Sequence, residues 1–134
     1  MASVYLDSCI VIYLIEGPSE LHEAVAQVIA RVAESISVSE LTRLECRVGP
    51  MRDGDEPLLA QYDRFFSLPT IVRVPIAADV FETATRLRAT HGIRTPDALH
   101  LAAAIVGGCD EFWTNDNRLA QAAGRHIEVR APFE

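Results

Sequence analysis

The 134-residue sequence contains no lysine, and all twelve of its basic residues are arginine. This absence excludes a Walker phosphate-binding loop, whose lysine contacts the nucleotide phosphates, and Schiff-base catalysis, which needs a lysine amine. The formal net charge of −7 argues against nonspecific coating of nucleic acid, because that affinity comes from basic side chains that release phosphate counterions. An acidic chain favours a basic protein partner instead.

The sequence has few cysteines and no long apolar run. Cys9, Cys46 and Cys109 are widely spaced and form no C-x-x-C pair, so neither a disulfide framework nor a zinc site is predicted. The longest apolar run, residues 9–15, is far shorter than the roughly 20 residues of a membrane helix. No basic residue precedes Arg31 to begin a secretory signal. We therefore expect a cytoplasmic protein with no membrane segment.

Strand-like and helix-like segments alternate along the chain. Strands separated by helices pair in parallel through right-handed crossovers. The length is that of one domain, so we predict a single α/β domain over residues 1–134. Its expected architecture is three-layer α/β/α with a central parallel sheet of four to five strands. The predicted strands are residues 4–6, 36–38, 71–74, 111–114 and 127–129.

The third predicted helix runs from Ser39 to about Val48. Ser37 and Glu40 stand at the spacing of a capping box at its start. Gly49-Pro50 is expected to end it, because proline interrupts the hydrogen bonds of a helix interior.

Glu45 lies on the same side of this helix as three apolar residues, which we interpret as a buried stripe. They are Leu41, Leu44 and Val48. A buried carboxylate is costly unless it is paired, protonated or bound to a metal ion. Alternatively, Glu45 lies at the edge of the stripe and pairs with Arg43 or Arg47.

Three other acids stand where strands end or helices begin. Asp7 directly follows the first predicted strand, and ligands of open α/β sheets lie beyond the carboxyl ends of the strands. Asp97 is in the first turn of the sixth predicted helix, where Thr95 is the expected cap and an acid complements the helix dipole. Asp116 belongs to a turn, residues 114–117, that follows the fourth strand. Taken singly, Asp97 and Asp116 are explained by these local roles.

Taken together, the four acids indicate a metal site. In a parallel sheet each crossover helix begins at the edge where the preceding strand ends, so Asp7, Glu45, Asp97 and Asp116 should converge. Clustered carboxylates repel one another and imply a bound cation. Oxygen ligands favour Mg²⁺ or Mn²⁺ over zinc, and such an ion suits hydrolysis of a phosphodiester. His100 could touch this site, but a core or helix-surface position is the commoner case for such a histidine.

Four segments of the sequence resemble the PIN-domain ribonucleases, in particular the VapC toxins. They are Val4–Ser8, Ser39–Arg47, Thr95–Ala102 and Trp113–Asp116, and the likeness spans essentially the whole chain. The resemblance implies a PIN-like fold with four metal-binding acids and three supporting polar residues. The acids are Asp7, Glu45, Asp97 and Asp116, and the polar residues are Ser8, Thr114 and Asn115. The pattern departs at Cys9, where relatives often carry Asn.

The resemblance also implies a function. It is that of an endoribonuclease toxin dependent on Mg²⁺ or Mn²⁺, usually dimeric, and inhibited by a cognate VapB-type antitoxin. Arg94 and Arg118 flank the acidic segments and are our candidates for contacts with RNA phosphates.

Two alternatives stay open at this point. One is a PIN fold kept as a binding module without activity. The other is a haloacid-dehalogenase-like phosphatase or a response-regulator receiver, which also carries acids at strand ends. Both of those families depend on a lysine, and the phosphatases on a D-x-D motif, whereas Ser8-Cys9 follows Asp7 here.

Overall fold

The computed structural model describes residues 2–131, apart from the side chains of residues 19, 21, 25 and 32. The predicted alternation of strands and helices is confirmed. The strands are β1 (Ala2–Leu6), β2 (Ala33–Ser39), β3 (Ile71–Val74), β4 (Glu111–Trp113) and β5 (Glu128–Arg130). The helices are α1 (Ser8–Glu16), α2 (Ser19–Val32), α3 (Glu40–Asp53), α4 (Glu56–Phe66), α5 (Ala78–His91), α6 (Thr95–Val106) and α7 (Asn117–Ala123).

The strands form one parallel sheet in the order β3-β2-β1-β4-β5. β1 is the central strand, between β2 and β4. The chain builds the sheet outward from β1 in one direction and then crosses back to add β4 and β5 on the other side. β1 and β4 therefore mark the point where the strand order reverses, and ligands of open α/β sheets bind outside the carboxyl ends of the strands at such a point.

Helices cover both faces of the sheet. Val4 and Leu6 of β1 pack in one apolar cluster with Ile10 of α1 and Trp113 of β4. Tyr5 points to the opposite face, because neighbouring side chains of a strand alternate, and packs in a second cluster with α5, α6 and α7. Val4, Tyr5 and Leu6, which are consecutive in β1, are all fully buried. This two-sided burial confirms the predicted α/β/α layers.

The capping box predicted at Ser37 and Glu40 is wrong. β2 continues through Ser39, which is paired with Val74 of β3, so Ser37 lies inside the strand. Ser39 is the N-cap of α3, and its backbone N–H donates to the Thr42 hydroxyl at 3.1 Å. The box is thus shifted by two residues.

The predicted end of α3 at Gly49-Pro50 is also wrong. The helix continues through Pro50 to Asp53 and ends at Gly54, whose φ of 69° is left-handed. The Pro50 ring is buried, and its carbonyl accepts a hydrogen bond from the Asp55 N–H at 2.9 Å. Packing at this position overrides the local helix-breaking tendency of proline.

Smaller boundary differences occur elsewhere. The last strand begins one residue later than predicted, at Glu128, and β4 ends at Trp113. The N-cap of α6 is Arg94, so the expected cap Thr95 is the first helical residue. Within residues 2–131, no helix combines the length and the hydropathy that crossing a membrane requires.

Candidate metal centre

A cleft of about 320 Å³ lies beyond the carboxyl ends of β1 and β4. Its lining includes all four acids that the sequence singled out. The lining residues are Asp7, Ser8, Cys9, Tyr13, Glu45, Arg94, Asp97, Asn115 and Asp116. The predicted convergence of the acids at one edge of the sheet is therefore seen in the structure.

Asp7 is the most firmly held of these acids. Its backbone N–H donates to the Trp113 carbonyl at 3.0 Å, which extends the sheet by one residue. Its Oδ1 accepts from the Ser8 N–H at 2.8 Å, and its Oδ2 accepts from the Thr114 hydroxyl at 2.8 Å. The residue is 6% exposed. Asp7 is thus both the N-cap of α1 and a buried carboxylate at the base of the cleft.

Glu45 reaches the cleft from α3, but not for the predicted reason. Leu44 and Val48 are 60% and 54% exposed, so they do not form a buried stripe. The buried positions of α3 are instead Thr42, Cys46 and Pro50, and Glu45 lies at the edge of that face with its side chain 30% exposed. No pairing of Glu45 with Arg43 or Arg47 is seen, since these arginines lie beside Asp63 and Glu40.

His100 contacts Glu45 directly. Its Nε2 lies 2.5 Å from Glu45 Oε1 and 3.6 Å from Asp7 Oδ1. Burial raises the pKa of Glu45, but the hydrogen bond and the electrostatic attraction of His100, with smaller contributions from Ser8 and Arg94, outweigh it, so the pKa lies below its ordinary value. His100 is buried, which is one of the positions expected for it, and it also contacts the site.

A buried hydroxyl holds the other side of the imidazole. Tyr5 Oη lies 2.8 Å from His100 Nδ1, 2.9 Å from Ser39 Oγ and 3.3 Å from Thr42 Oγ1. Tyr5 was not predicted to belong to the site. Two signals could have found it: Tyr5 is two residues before Asp7 and so shares its side of the strand, and a buried tyrosine needs a partner for its hydroxyl.

Asp97 and Asp116 lie at the rim of the cleft. Asp97 is in the first turn of α6, and its carboxylate accepts from Arg94 Nε at 3.1 Å. Asp116 caps α7, with its Oδ1 accepting from the backbone N–H groups of Arg118 and Leu119 at 3.0 and 3.1 Å. The ligand atoms of Asp7, Glu45 and His100 lie within 4.8 Å of one another, and Asp97 and Asp116 are not part of that tight group.

Two arginines lie beside the acids, as predicted from their sequence positions. The Arg94 side chain is 75% exposed, and its hydrogen bond with Asp97, aided by the charges of Asp97, Asp116 and Glu45, raises its pKa above the ordinary value. Arg118 lines a second, smaller depression together with Arg94, Asp97 and Asp116. Arg94 thus lines the cleft itself, and Arg118 lines a depression that shares Arg94, Asp97 and Asp116 with it.

Thr114 connects two of the acids. It is fully buried, its hydroxyl donates to Asp7, and the same oxygen accepts from the Asp116 N–H at 3.1 Å. The Cys9 thiol lies 3.6 Å from Asp7 Oδ2 and accepts from the Asn115 N–H at 3.5 Å. Burial, followed by the charge of Asp7, raises the pKa of Cys9 to about 11, so the thiol is neutral at ordinary pH.

One buried oxygen in the cleft has no partner. Among the described residues, only Asn115 Oδ1 is a buried side-chain polar atom without a hydrogen bond. Buried polar atoms are nearly always satisfied, so an unpaired oxygen beside carboxylates is expected where an ion or its water binds. The donor set of the cleft, carboxylates with an amide oxygen, fits a hard divalent cation such as Mg²⁺ or Mn²⁺.

A family model of the PIN domain matches residues 4–125, and the chain therefore belongs to the PIN domain family. Solved structures with the same fold include VapBC of Salmonella typhimurium bound to DNA (TM-score 0.77, 18% identity, 97% of this chain and 98% of that chain). A toxin–antitoxin complex from Klebsiella pneumoniae has a TM-score of 0.75 at 25% identity, covering 98% of both chains. The sarcin-ricin loop cleaving toxin VapC20 of Mycobacterium tuberculosis has a TM-score of 0.75 at 16% identity, covering 96% of this chain and 99% of that chain. No curated protein matches the sequence.

Proposed function

We propose that this chain is the toxin of a VapBC-type toxin–antitoxin pair and that it hydrolyses RNA phosphodiester bonds with the help of a divalent metal ion. The observation that carries the proposal is the meeting of Asp7, Glu45, Asp97 and Asp116 in one cleft of a PIN fold. Membership of the PIN family and the likeness to toxin structures support it.

In this proposal the four acids hold Mg²⁺ or Mn²⁺. When bound, such an ion would withdraw charge from the phosphodiester and make a water molecule more nucleophilic. Thr114 and the Ser8 N–H hold the Asp7 carboxylate in one orientation, and Asn115 offers an unpaired oxygen at the same place. The protein thus supplies a preorganised, partly buried set of acceptors, which is what positioning a charged reaction centre requires.

Arg94 and Arg118 are the groups we propose for contacts with the RNA backbone. Both line the depression that adjoins the cleft, and the exposed guanidinium of Arg94 could exchange its contact with Asp97 for a phosphate oxygen once a cation neutralises the acids. Arginine is suited to this role because its planar fork of N–H donors matches two phosphate oxygens.

The partners follow from the same reasoning. A VapB-type antitoxin is the proposed inhibitor, because several structures with this fold are toxin–antitoxin complexes and a chain of net charge −7 suits a basic inhibitory segment. We further propose that residues 1–134 act as one PIN domain, that the toxin is a homodimer, and that it acts on RNA in the cytoplasm. Sedimentation of the purified protein would test the dimer.

The nuclease is tested by replacing one acid. We expect Asp97→Asn to abolish cleavage of cellular RNA and the growth arrest caused by expression, because the substitution removes one negative charge from the proposed metal site. Glu82→Gln is the matched control, since Glu82 is an exposed acid of α5 that pairs with Arg86 outside the cleft. Unchanged cleavage and growth arrest in Asp97→Asn would refute the proposal.

The binding module without activity is distinguished by the same assay. It would bind a divalent ion, seen as an increased melting temperature, without cleaving RNA. The four acids that line the cleft favour the enzyme over this alternative. The phosphatase alternative is not retained, because the chain belongs to the PIN family.

A further inference from the structure

We propose that His100 is a positioning residue that holds the Glu45 carboxylate in the cleft through its Nε2–H, while the Tyr5 hydroxyl fixes the orientation of its imidazole. The inference rests on the proposed function, because it assigns a role beside the proposed metal site. His100 is not one of the four acids, and the sequence indicated only that it could touch their site.

The 2.5 Å contact between His100 Nε2 and Glu45 Oε1 identifies the donor. A carboxylate oxygen can only accept, so Nε2 carries the hydrogen and donates it. A bare Nε2 at this distance would repel the carboxylate. Nε2 is therefore engaged by Glu45, and His100 acts on the site through that acid.

Tyr5 satisfies the other nitrogen whatever its protonation. If Nδ1 is bare, the Tyr5 hydroxyl donates to it and accepts from Ser39 or Thr42; if Nδ1 carries a hydrogen, the Tyr5 oxygen accepts it and donates to one of those hydroxyls. The ring is 1% exposed, so it has no water with which to exchange these partners. The orientation of the imidazole ring is thus fixed in either protonation state of Nδ1.

Glu45 needs such a partner because its helix does not provide one. The side chain is long, 30% exposed and at the edge of the buried face of α3, and apart from His100 it has a hydrogen bond with the partly exposed Ser8. Arg43 and Arg47, its neighbours in sequence, lie beside Asp63 instead. His100 therefore connects α6 to the acid of α3 across the cleft.

His100 lies close to a second acid as well. Its Nε2 is 3.6 Å from Asp7 Oδ1, so a shift of the imidazole would disturb the surroundings of two of the proposed metal ligands. Substitution of residues that orient metal ligands typically lowers metal affinity by about 10–100-fold. We expect an effect of that size here.

The first test measures Mn²⁺ affinity by calorimetry in four proteins: wild type, His100→Leu, His100→Gln and the control His126→Leu. His100→Leu should weaken binding about 10–100-fold, and His100→Gln should recover most of the affinity, because its amide can donate to Glu45. His126 is an exposed histidine outside the cleft lining, and its substitution should leave the affinity unchanged. Wild-type affinity in His100→Leu would overturn the proposal.

A double-mutant cycle separates positioning from direct ligation. If His100 acts through Glu45, adding His100→Leu to Glu45→Gln should change the Mn²⁺ affinity by less than about twofold, since residues that act together are non-additive. The same 10–100-fold loss in both backgrounds would overturn positioning and make His100 a ligand. Trp113 fluorescence in urea checks that each variant folds.

A metal-free readout keeps this inference separable from the proposed function. The His100 Hε2 proton should give a downfield, slowly exchanging NMR resonance in the wild type that shifts or disappears in Glu45→Gln, with no substitution of His100 itself. The resonance without Mn²⁺ binding would refute the metal-dependent function but support the contact. Mn²⁺ binding with no such resonance, or with one that Glu45→Gln leaves unchanged, would overturn the contact.

Discussion

The buried hydroxyl of Tyr5 provides a quantitative test of the hydrogen-bond network beneath the cleft. Tyr5→Phe removes one oxygen and keeps the ring, which stacks on Phe112 with centroids 5.7 Å apart. His100 Nδ1, which is fully buried, then loses its partner, while Ser39 and Thr42 still lie within 3.5 Å of each other. Leaving one buried polar atom unsatisfied costs about 1–3 kcal/mol, and we predict a loss of unfolding free energy in that range.

Tyr62→Phe is the matched comparison. Tyr62 is also fully buried, but its hydroxyl donates to Glu16, an exposed carboxylate that water can solvate when the tyrosine oxygen is removed. A hydrogen bond to a charged group contributes about 1.5–3 kcal/mol, so Tyr62→Phe should also lose stability, but through the loss of that bond rather than through an unsatisfied buried partner. Both deletions are thus predicted to destabilise the fold, and Tyr5→Phe does so by leaving the buried His100 Nδ1 without its partner.

Urea unfolding at pH 7 without added metal measures both losses. The single tryptophan, Trp113, is fully buried in β4 and reports unfolding by fluorescence. If Tyr5→Phe were as stable as the wild type, the network would not hold His100 as described.

Three further predictions concern other parts of the molecule. Gly107→Ala would place a Cβ 2.8 Å from the Ala103 carbonyl oxygen and 3.0 Å from a Val74 methyl group, so we expect the unfolding free energy in urea to fall by about 1–3 kcal/mol. The control Gly124→Ala, whose Cβ would have its nearest contact at 3.4 Å, should differ from the wild type by less than about 0.5 kcal/mol. Equal losses in the two variants would contradict this packing. Burial and the charge of Asp7 raise the pKa of the folded Cys9 thiol to about 11, so the stability linked to its protonation is complete below the unfolded pKa and is lost as the pH rises toward 11. Cys9→Ser should therefore lose less stability than the wild type between pH 8 and 11. The same fall in urea midpoint in both proteins over this range would refute the prediction. Arg94→Ala should weaken RNA binding and reduce the slope of log affinity against log salt concentration by about 0.7. The control Arg86→Ala, on α5, should leave the slope unchanged. The same slope in Arg94→Ala and the wild type would exclude a phosphate contact.

The order of elements could be predicted because it depends on local patterns. β1 reads as an apolar run that is buried on both faces, and Asp7 directly after it has to emerge at the carboxyl end of the sheet. Parallel pairing follows from helices between strands. The rim acids Asp97 and Asp116 were also expected at this edge, and they lie there in the first turn of α6 and at the N-cap of α7.

Glu45 shows the limit of that reasoning. Its side was inferred from Leu44 and Val48, yet both are exposed, and the buried positions of α3 include Thr42 and Cys46. A helical stripe identifies an apolar face but not which face tertiary packing buries. The residue was placed in the cleft correctly, although the argument from the stripe was wrong.

Pro50 and His100 could not be placed for a related reason. Pro50 continues α3 at a buried position, and His100 meets Glu45, which lies 55 positions earlier in the sequence. Propensity and spacing describe neighbours along one element. Contacts between α3 and α6 are decided by the packed fold.

Titration of metal-free protein with Mn²⁺ tests the central claim most directly. The wild type and Glu82→Gln should bind the ion, and at a concentration of about 100 times the dissociation constant it should stabilise the fold by about 2.7 kcal/mol. Asp7→Asn, which keeps an N-cap side chain for α1, should lose most of this binding while Trp113 fluorescence shows a folded protein. Equal Mn²⁺ binding by wild type and Asp7→Asn would contradict the account.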